Sequence, residues 1–278
     1  MYCLSNGFLA SLRESVAQDT DLNLEIRANY LNIYFKGNSL LKLSEVVPAR
    51  YRVEIHERFR EGLDLPPELV DAPSAAQFVS AIPQLKANIA KHGQSSIELE
   101  YEQLIIRANN QEPRNISDYF IVDRQYALPE CRFDLLGLYW ERTGRRRNQE
   151  VPLCLFEAKF GLNSEIAQLA EQLQRYYEAL QPKAAQIAEE IDGIFHQKLA
   201  LGQYRQGERV EAMQTLRVSR DMAQVRFVVL LVDYNPNSTL LNKTALQALP
   251  FASQIRLMCT GFAMWQQNVL PLTGAATA

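Results

Sequence analysis

Hydrophobic and polar positions alternate along the first part of the chain, over residues 22–43. The segment LNLEIRANYLNIYFKGNSLLKL has a period of two, and Asn29 and the pair Gly37-Asn38 occupy natural turn positions. A period of two is typical of half-buried strands, because successive side chains point to opposite faces of a sheet. The pattern predicts a small antiparallel β-meander near the N-terminus.

Charged residues and prolines become frequent over residues 48–93. Pro66-Pro67, Pro73 and Pro83 interrupt this segment, and a proline inside a helix removes a backbone hydrogen bond. We therefore expect short helical pieces here. A boundary near residue 93 divides the chain into an N-terminal region over 1–93 and a second domain over 94–278.

The second domain alternates between helical and strand patterns. Residues 95–110 place apolar side chains on one helical stripe, three strand-like runs follow, and a helical pattern returns from residue 163 onward with a second helix from Pro182. Residues 224–234 form the apolar run of a central strand, and a further helix and one or two strands end the domain. The three earlier strand-like runs are 119–128, 131–140 and 152–160. This order predicts an α/β fold with a mixed central sheet flanked by helices.

One strand run carries charges within a stretch that is otherwise apolar. In VPLCLFEAKFG, residues 151–161, Glu157 and Lys159 lie on the same face as Leu153 and Leu155. Burying an unpaired carboxylate or ammonium group costs a large free energy, so both side chains need partners. They are either a structural salt bridge at the end of a strand or part of a site for a metal ion and a phosphate.

The preceding strand run supplies a second carboxylate. If 131–140 and 152–160 form an antiparallel hairpin with its tip near Arg145-Arg146, Asp134 lies opposite Glu157. Opposed residues have Cβ atoms about 4.5 to 5.5 Å apart, and two carboxylates that close repel unless a cation lies between them. Mg²⁺ suits such a site, with Mn²⁺ as an alternative, because it binds carboxylates, a carbonyl, water and phosphate.

Neighbouring groups complete the expected site. The backbone carbonyl of Ala158 is a candidate metal ligand, and Lys159 is placed to orient water or to stabilise charge on a phosphate. On the first helix of the second domain, Glu98 and Glu100 flank the apolar stripe of Ile97, Tyr101, Leu104 and Ala108. Glu98 is the favoured additional ligand from this helix, whereas Glu102 is expected to point away.

Asp134 in RFDLLG, followed by Glu157-Ala158-Lys159, resembles the motif of the PD-(D/E)XK nuclease superfamily, in which an acid on one strand precedes (D/E)xK on the next. The resemblance covers about residues 95–234 and includes the element order of that family's restriction-endonuclease-like αβββαβ core. It implies a metal-dependent nuclease that hydrolyses phosphodiester bonds, with DNA the favoured substrate. Asp134 and Glu157 would bind the metal, and Lys159 would assist the attacking water.

A second motif resembles one branch of that superfamily. Gln172 and Tyr176 lie four residues apart on the predicted helix after the third strand, as in the QxxxY motif of RecB-like nucleases. In that branch the glutamine and tyrosine hold the substrate strand near the metal, which implies a substrate-binding role for this pair. The alternative is an amphipathic helix with a polar shoulder.

Composition limits the remaining possibilities. A formal net charge of −3 gives no overall attraction to nucleic acid, so a polyanion site has to be local. The four cysteines form no CxxC, which favours reduced packing residues, and the start of the chain lacks the pattern of a secretory signal, which favours a cytoplasmic protein without a membrane segment. Asp123 and Asp233 are interpreted as surface or turn residues, and Arg145 to Arg147 are left outside the site.

A binding module is the alternative to an enzyme. A nuclease-derived domain could bind nucleic acid or a partner protein without cutting. In that case the N-terminal region would be the surface for a protein partner or for a second copy of the chain. The joint presence of Asp134, Glu157 and Lys159 favours the enzyme.

Overall fold

Two β-sheets of five strands each organise the chain, one antiparallel and one mixed. The computed structural model describes residues 2–27, 29–93, 97–141, 149–205 and 209–265. Helices flank both sheets, so the chain has the mixed α/β fold that the sequence predicts.

The N-terminal sheet extends the predicted meander to five strands. Each strand pairs antiparallel with the next, in sequential order. The helices α1 (Tyr2–Asn6), α2 (Ala10–Gln18) and α3 (Ala72–His92) contribute to its hydrophobic core. The strands are β1 (Leu22–Ile26), β2 (Tyr30–Phe35), β3 (Asn38–Val47), β4 (Arg50–Glu54) and β5 (Glu68–Leu69), with a 3₁₀ turn at Glu57–Arg60.

Helix α3 is continuous through Pro83, so the prediction of short helical pieces was wrong. Asp71 caps the helix by accepting a hydrogen bond from the Ser74 backbone N–H at 2.8 Å, and the Ser74 hydroxyl accepts one from the Asp71 N–H. An internal proline costs about 3 kcal/mol. Burying each large apolar side chain stabilises by about 1.5 to 3 kcal/mol, so the buried face outweighs the proline. That face consists of Phe78, Ile82, Leu85 and Ile89.

The mixed sheet lies in the second domain, between helices on both faces. Its order is β12 (Ile255–Thr260), β11 (Arg226–Val232), β9 (Leu153–Phe160), β7 (Arg132–Tyr139) and β6 (Tyr119–Ala127), with β9, β11 and β12 mutually parallel. On one face lies α4 (Ile97–Ile106), which ends in a π-helical turn at Arg107–Gln111; on the other lie α5 (Leu169–Leu180) and α6 (Ala184–Ala200). The remaining elements are β8 (Glu150–Val151), β10 (Arg217–Val218), α7 (Arg209–Met213) and α8 (Lys243–Gln247).

Strands β7 and β9 pair antiparallel in the predicted register. Leu138 lies opposite Leu153 and Leu135 opposite Phe156, and the next position in this register places Asp134 opposite Glu157. The register predicted from the sequence is therefore confirmed for the paired residues from Leu138–Leu153 to Leu135–Phe156. Its predicted tip at residues 145–146 lies outside the described ranges.

Helix α4 presents a different face to the sheet from the one predicted. Ile97 and Leu104, two residues of the expected apolar stripe, are 61% and 45% exposed, whereas Glu102 and Ile106 are buried. Ile106 packs against the sheet, and Glu102 forms an ion pair with Arg124 of β6 at 2.9 Å. A buried arginine on the sheet thus determines which face of α4 turns inward.

Three buried or partly buried ion pairs lie around β6 and α6, and two of them connect these elements to the N-terminal region. Asp123 is completely buried, so its assignment to the surface was wrong. A bulge in β6 shifts the register between Ile121 and Asp123, so that Asp123 and Arg124 both become buried. Burial and the charge of Glu25 raise the pKa of Asp123 to about 6. The pairs are Glu25 with Lys198 at 2.5 Å, Arg27 with Asp123 at 3.0 Å and Glu102 with Arg124 at 2.9 Å.

None of the helices in the described part of the chain combines the length and apolar character needed to cross a bilayer. The cysteines at 131, 154 and 259 are free thiols, and Cys154 is buried in the core between the sheet and α4.

The buried pair between Glu25 and Lys198 yields a prediction about stability. Lys198→Met should lower the free energy of unfolding by about 3 to 5 kcal/mol, because it leaves the Glu25 carboxylate buried without its cation. Lys183→Met, which removes a more exposed pair with Glu130 at 3.4 Å, is the matched control and should change it by less than about 0.5 kcal/mol. Urea unfolding measures both. Equal effects would contradict the importance of the buried pair.

Candidate functional site

The side chains predicted from the sequence motifs converge on Glu157. Gln172 Nε2 donates a hydrogen bond to Glu157 Oε1 at 2.6 Å, and Lys159 Nζ lies 2.8 Å from the same oxygen. The Tyr176 hydroxyl lies 2.8 Å from Glu157 Oε2. Both carboxylate oxygens of a buried acid are therefore held by residues from β9 and α5.

Helix α5 positions its two polar residues by burying the apolar face beside them. Gln172 and Tyr176 lie one turn apart, and Gln172 Nε2 also donates to the Tyr176 hydroxyl at 2.8 Å. The tyrosine ring meets Phe133 edge to face, with ring centroids 4.9 Å apart, and its hydroxyl lies 3.0 Å from the Arg132 carbonyl. Burial and the Glu157 carboxylate both raise the pKa of Tyr176, so the phenol stays protonated and can donate to Glu157.

Asp134 lies where the pairing of β7 and β9 ends. Its Oδ2 accepts a hydrogen bond from the Ala158 backbone N–H at 2.9 Å. The Asp134 carboxyl group thus replaces the backbone carbonyl of β7 as the acceptor, just beyond the last pair of Leu135 and Phe156. Burial, and then the charge of Glu157, raise the pKa of Asp134 to about 8. In the absence of a cation, this carboxyl group therefore binds a proton at neutral pH.

Lys159 bridges two carboxylates. Its Nζ lies 2.8 Å from Glu157 Oε1 and 2.6 Å from Glu165 Oε2. Burial lowers the pKa of Lys159, but the two carboxylates offset this and leave the pKa above its ordinary value. The lysine is therefore a cation at neutral pH and is suited to stabilise negative charge rather than to accept a proton.

Sequence reasoning missed Glu165. This residue lies in a 3₁₀ turn at Ser164–Gln168, and the Asn163 side chain accepts a hydrogen bond from its backbone N–H at 2.9 Å. The hydrogen bond from Lys159 lowers the pKa of Glu165. An Asn-Ser-Glu sequence soon after the motif lysine was the available signal, because Asn is a frequent cap at such turns.

The acid that α4 contributes near the site is Glu102. Glu98, the favoured candidate, is exposed, so the expected orientation of this helix was wrong. The Glu102 carboxylate accepts hydrogen bonds from Arg124 at 2.9 Å and Gln125 at 2.6 Å, and burial raises its pKa to about 6. Its charge also contributes to the raised pKa of Asp134, so it lies within electrostatic range of that carboxyl group.

The acidic pair suits a divalent cation with few protein ligands. Over the described ranges, no three His, Cys, Asp or Glu side chains are grouped so that they could hold a metal ion. Mg²⁺ is commonly bound by one or two carboxylates together with water and substrate phosphate, so a third acid is not required. Burial and the charge of Glu157 raise the pKa of Asp134, so a cation held by both acids would take the place of its proton. Ligation by the Ala158 carbonyl stays a prediction.

Comparisons with known protein families, with curated proteins and with solved structures found no match to this chain.

The raised pKa of Asp134 predicts how stability depends on pH without metal. The folded state binds this proton more tightly than the unfolded chain, whose pKa is near 3.9. The resulting stabilisation is complete below about pH 4 and is lost as the pH rises towards about 8. Asp134→Asn keeps an acceptor for the Ala158 N–H without a charge. It should raise the free energy of unfolding in chelator at pH 8 by about 1 to 3 kcal/mol, and by little at pH 4.

Unfolding by urea in chelator at both pH values measures this difference. Addition of Mg²⁺ at pH 8 should then stabilise the wild type but not Asp134→Asn, because only the carboxylate binds the cation. A variant that is less stable than the wild type at pH 8 in chelator would refute the assignment.

The contribution of the hydrogen bond from Gln172 to Glu157 can be measured by comparison with Gln174, a second glutamine on the same helix. Gln172→Ala should lower the free energy of unfolding by about 1 to 3 kcal/mol, because a buried carboxylate loses a donor. Gln174→Ala, which removes only a bond to exposed Glu178, should cost less than about 0.5 kcal/mol. Urea unfolding of both variants is the measurement, and similar losses would argue against a special role for Gln172.

Proposed function

We propose that this chain is a metal-dependent nuclease of the PD-(D/E)XK type, which hydrolyses phosphodiester bonds in nucleic acid, with DNA the favoured substrate. The observation that carries the proposal is the convergence of Lys159, Gln172 and Tyr176 on the carboxylate of Glu157. Asp134 follows on the same face from the register of β7 and β9. The order α4, three main strands, α5 and β11 also agrees with the αβββαβ core of that superfamily.

Asp134 and Glu157, together with the Ala158 carbonyl, are the groups that would hold Mg²⁺ or Mn²⁺. When bound, such an ion offsets charge on the scissile phosphate and makes a water molecule more acidic. Lys159 keeps its proton and so provides a fixed positive charge beside that phosphate. In the hydrolysis that we propose, water attacks phosphorus, one P–O ester bond breaks, and the products are a phosphomonoester and a hydroxyl group.

Gln172 and Tyr176 have a positioning role in this proposal. Their polar groups are directed at Glu157, and they keep its carboxylate in a single orientation. The substrate-binding role implied by the QxxxY resemblance stays a prediction, because in the structure the glutamine and tyrosine contact the acid.

Cleavage of labelled single-stranded DNA, duplex DNA and RNA by purified protein tests the proposal. With Mg²⁺ or Mn²⁺ we expect cleavage that chelator abolishes. Lys159→Ala should lower the rate by at least about 100-fold, because it removes the positive charge beside the phosphate. Lys243→Ala, an exposed lysine on α8, is the matched control and should cleave at the wild-type rate. Equal rates for wild type and Lys159→Ala would refute the catalytic assignment.

A nuclease-derived module that binds without cutting is the second candidate, and one observation favours it. Three side chains already hold both oxygens of Glu157, and Lys159 is paired with two carboxylates, so the network is complete without a metal ion. This candidate predicts that no substrate is cut under any metal condition, while nucleic acid or a partner protein is still bound. In that case the N-terminal sheet would be the first surface to test for a protein partner or a second copy.

A further inference from the structure

Three aromatic side chains form a row at one edge of the mixed sheet. The parallel strands β9, β11 and β12 all end at this edge, at Phe160, Val232 and Thr260, and Phe262 lies just beyond. Tyr101 of α4 lies between the two phenylalanines, with its ring centroid 5.0 Å from that of Phe160 and 6.1 Å from that of Phe262. We refer to Phe160, Tyr101 and Phe262 as the aromatic row.

The loop that carries Phe262 is fixed by Asp233. Asp233 Oδ1 accepts hydrogen bonds from the backbone N–H groups of Phe262 at 2.6 Å and Ala263 at 2.8 Å, and Oδ2 accepts one from the Tyr101 hydroxyl at 3.1 Å. Gly261 has a φ of +127°, and a Cβ there would overlap with Asp233. These bonds lower the pKa of Asp233, so the carboxylate stays charged and keeps the loop in place.

Phe262 is exposed although hydrogen bonds to Asp233 hold the backbone of its loop. Its side chain is 77% exposed, and its ring is tilted against Tyr101. Exposed aromatic surface on a fixed backbone is favourable for binding, because covering it removes apolar area from water without ordering a mobile loop. The arrangement therefore favours a ligand with a flat apolar face.

The row lies at the edge of the sheet that carries the proposed site. Phe160 follows Lys159 on β9 and packs on the α4 side, whereas Lys159 and Glu157 face α5, so a strand would pass around this end of the sheet to reach both. The antiparallel strand β7 begins at the same end with Arg132. Arg132 is exposed and lies close enough to Glu102 for its charge to lower the pKa of that carboxyl group. An exposed guanidinium group favours a phosphate, and the aromatic row favours a base, so this end of the sheet is complementary to a nucleic-acid strand.

We propose that Phe262 and Tyr101 form a stacking platform for an unpaired base of single-stranded nucleic acid. Duplex bases are stacked inside the helix and cannot reach such a platform, so single strands are the preferred ligand. The inference rests on the proposed function, since it assigns a substrate class to the nuclease site at the same edge. Phe262 supplies the exposed face, and Tyr101, held by Asp233, supports it from behind.

The test compares an oligothymidylate with an abasic oligonucleotide of the same length, both fluorescently labelled, by anisotropy in Ca²⁺. Stacking on an aromatic ring predicts that wild type binds the thymidylate about 5- to 100-fold more tightly than the abasic strand. Phe262→Ala should remove most of this difference and leave the abasic affinity unchanged. Met264 lies in the same loop and is 95% exposed, so Met264→Ala is the matched control and should bind as wild type does. An oligouridylate compared in the same way tells an RNA from a DNA ligand.

Several outcomes would overturn the platform. They are equal binding of both strands by wild type, no binding of either strand, or a Phe262→Ala variant that still distinguishes them. A Phe262→Ala variant that changes sedimentation with unchanged strand affinity would instead assign this surface to protein contacts. Circular dichroism checks that the variant is folded. Cleavage in Mg²⁺ is measured separately, so stacking without cleavage would refute the nuclease and retain the platform.

Discussion

The pairing register of β7 and β9 is the constraint on which the candidate site depends. Because side chains alternate between the faces of a strand, a slip of one residue would turn Glu157 away from α5 and Asp134 away from Glu157. Leu153 and Leu155 fix the register by packing on the α5 side, while Phe156 packs on the α4 side. The packing of these apolar side chains therefore determines that Asp134 and Glu157 lie on the same face, just beyond the last residue pair of β7 and β9.

The two carboxyl groups of the candidate site are compensated in different ways. Lys159 compensates Glu157 directly, whereas Asp134 has only a backbone N–H and a raised pKa. A cation bound by both acids, as proposed, would replace the proton of Asp134 and would share the Glu157 carboxylate with Lys159.

Local patterns in the sequence were sufficient for the pairing of β7 with β9 and for α5, and insufficient for α4. The alternation around Glu157 and the helical spacing of Gln172 and Tyr176 were correct because each depends on neighbours within one element or one hairpin. The inward face of α4 depends on Arg124, a buried residue just after the bulge in β6. The residues near Glu102 give no sign of the bulge or of Arg124, so the sequence pattern of α4 could not predict this ion pair. The same limit applies to Pro83, because the burial of one face of α3 outweighs the tendency of proline to end a helix.

The ion pairs between the N-terminal sheet and the second domain limit how this protein could be divided. Arg27 and Glu25 come from the first part of the chain, while Asp123 and Lys198 belong to the second. A fragment that began near residue 93 would retain an acid and a base at a newly exposed surface, each separated from its counter-charge. Each half therefore carries charges whose partners lie in the other half, and an exchange of either half between proteins would have to replace those charges as well.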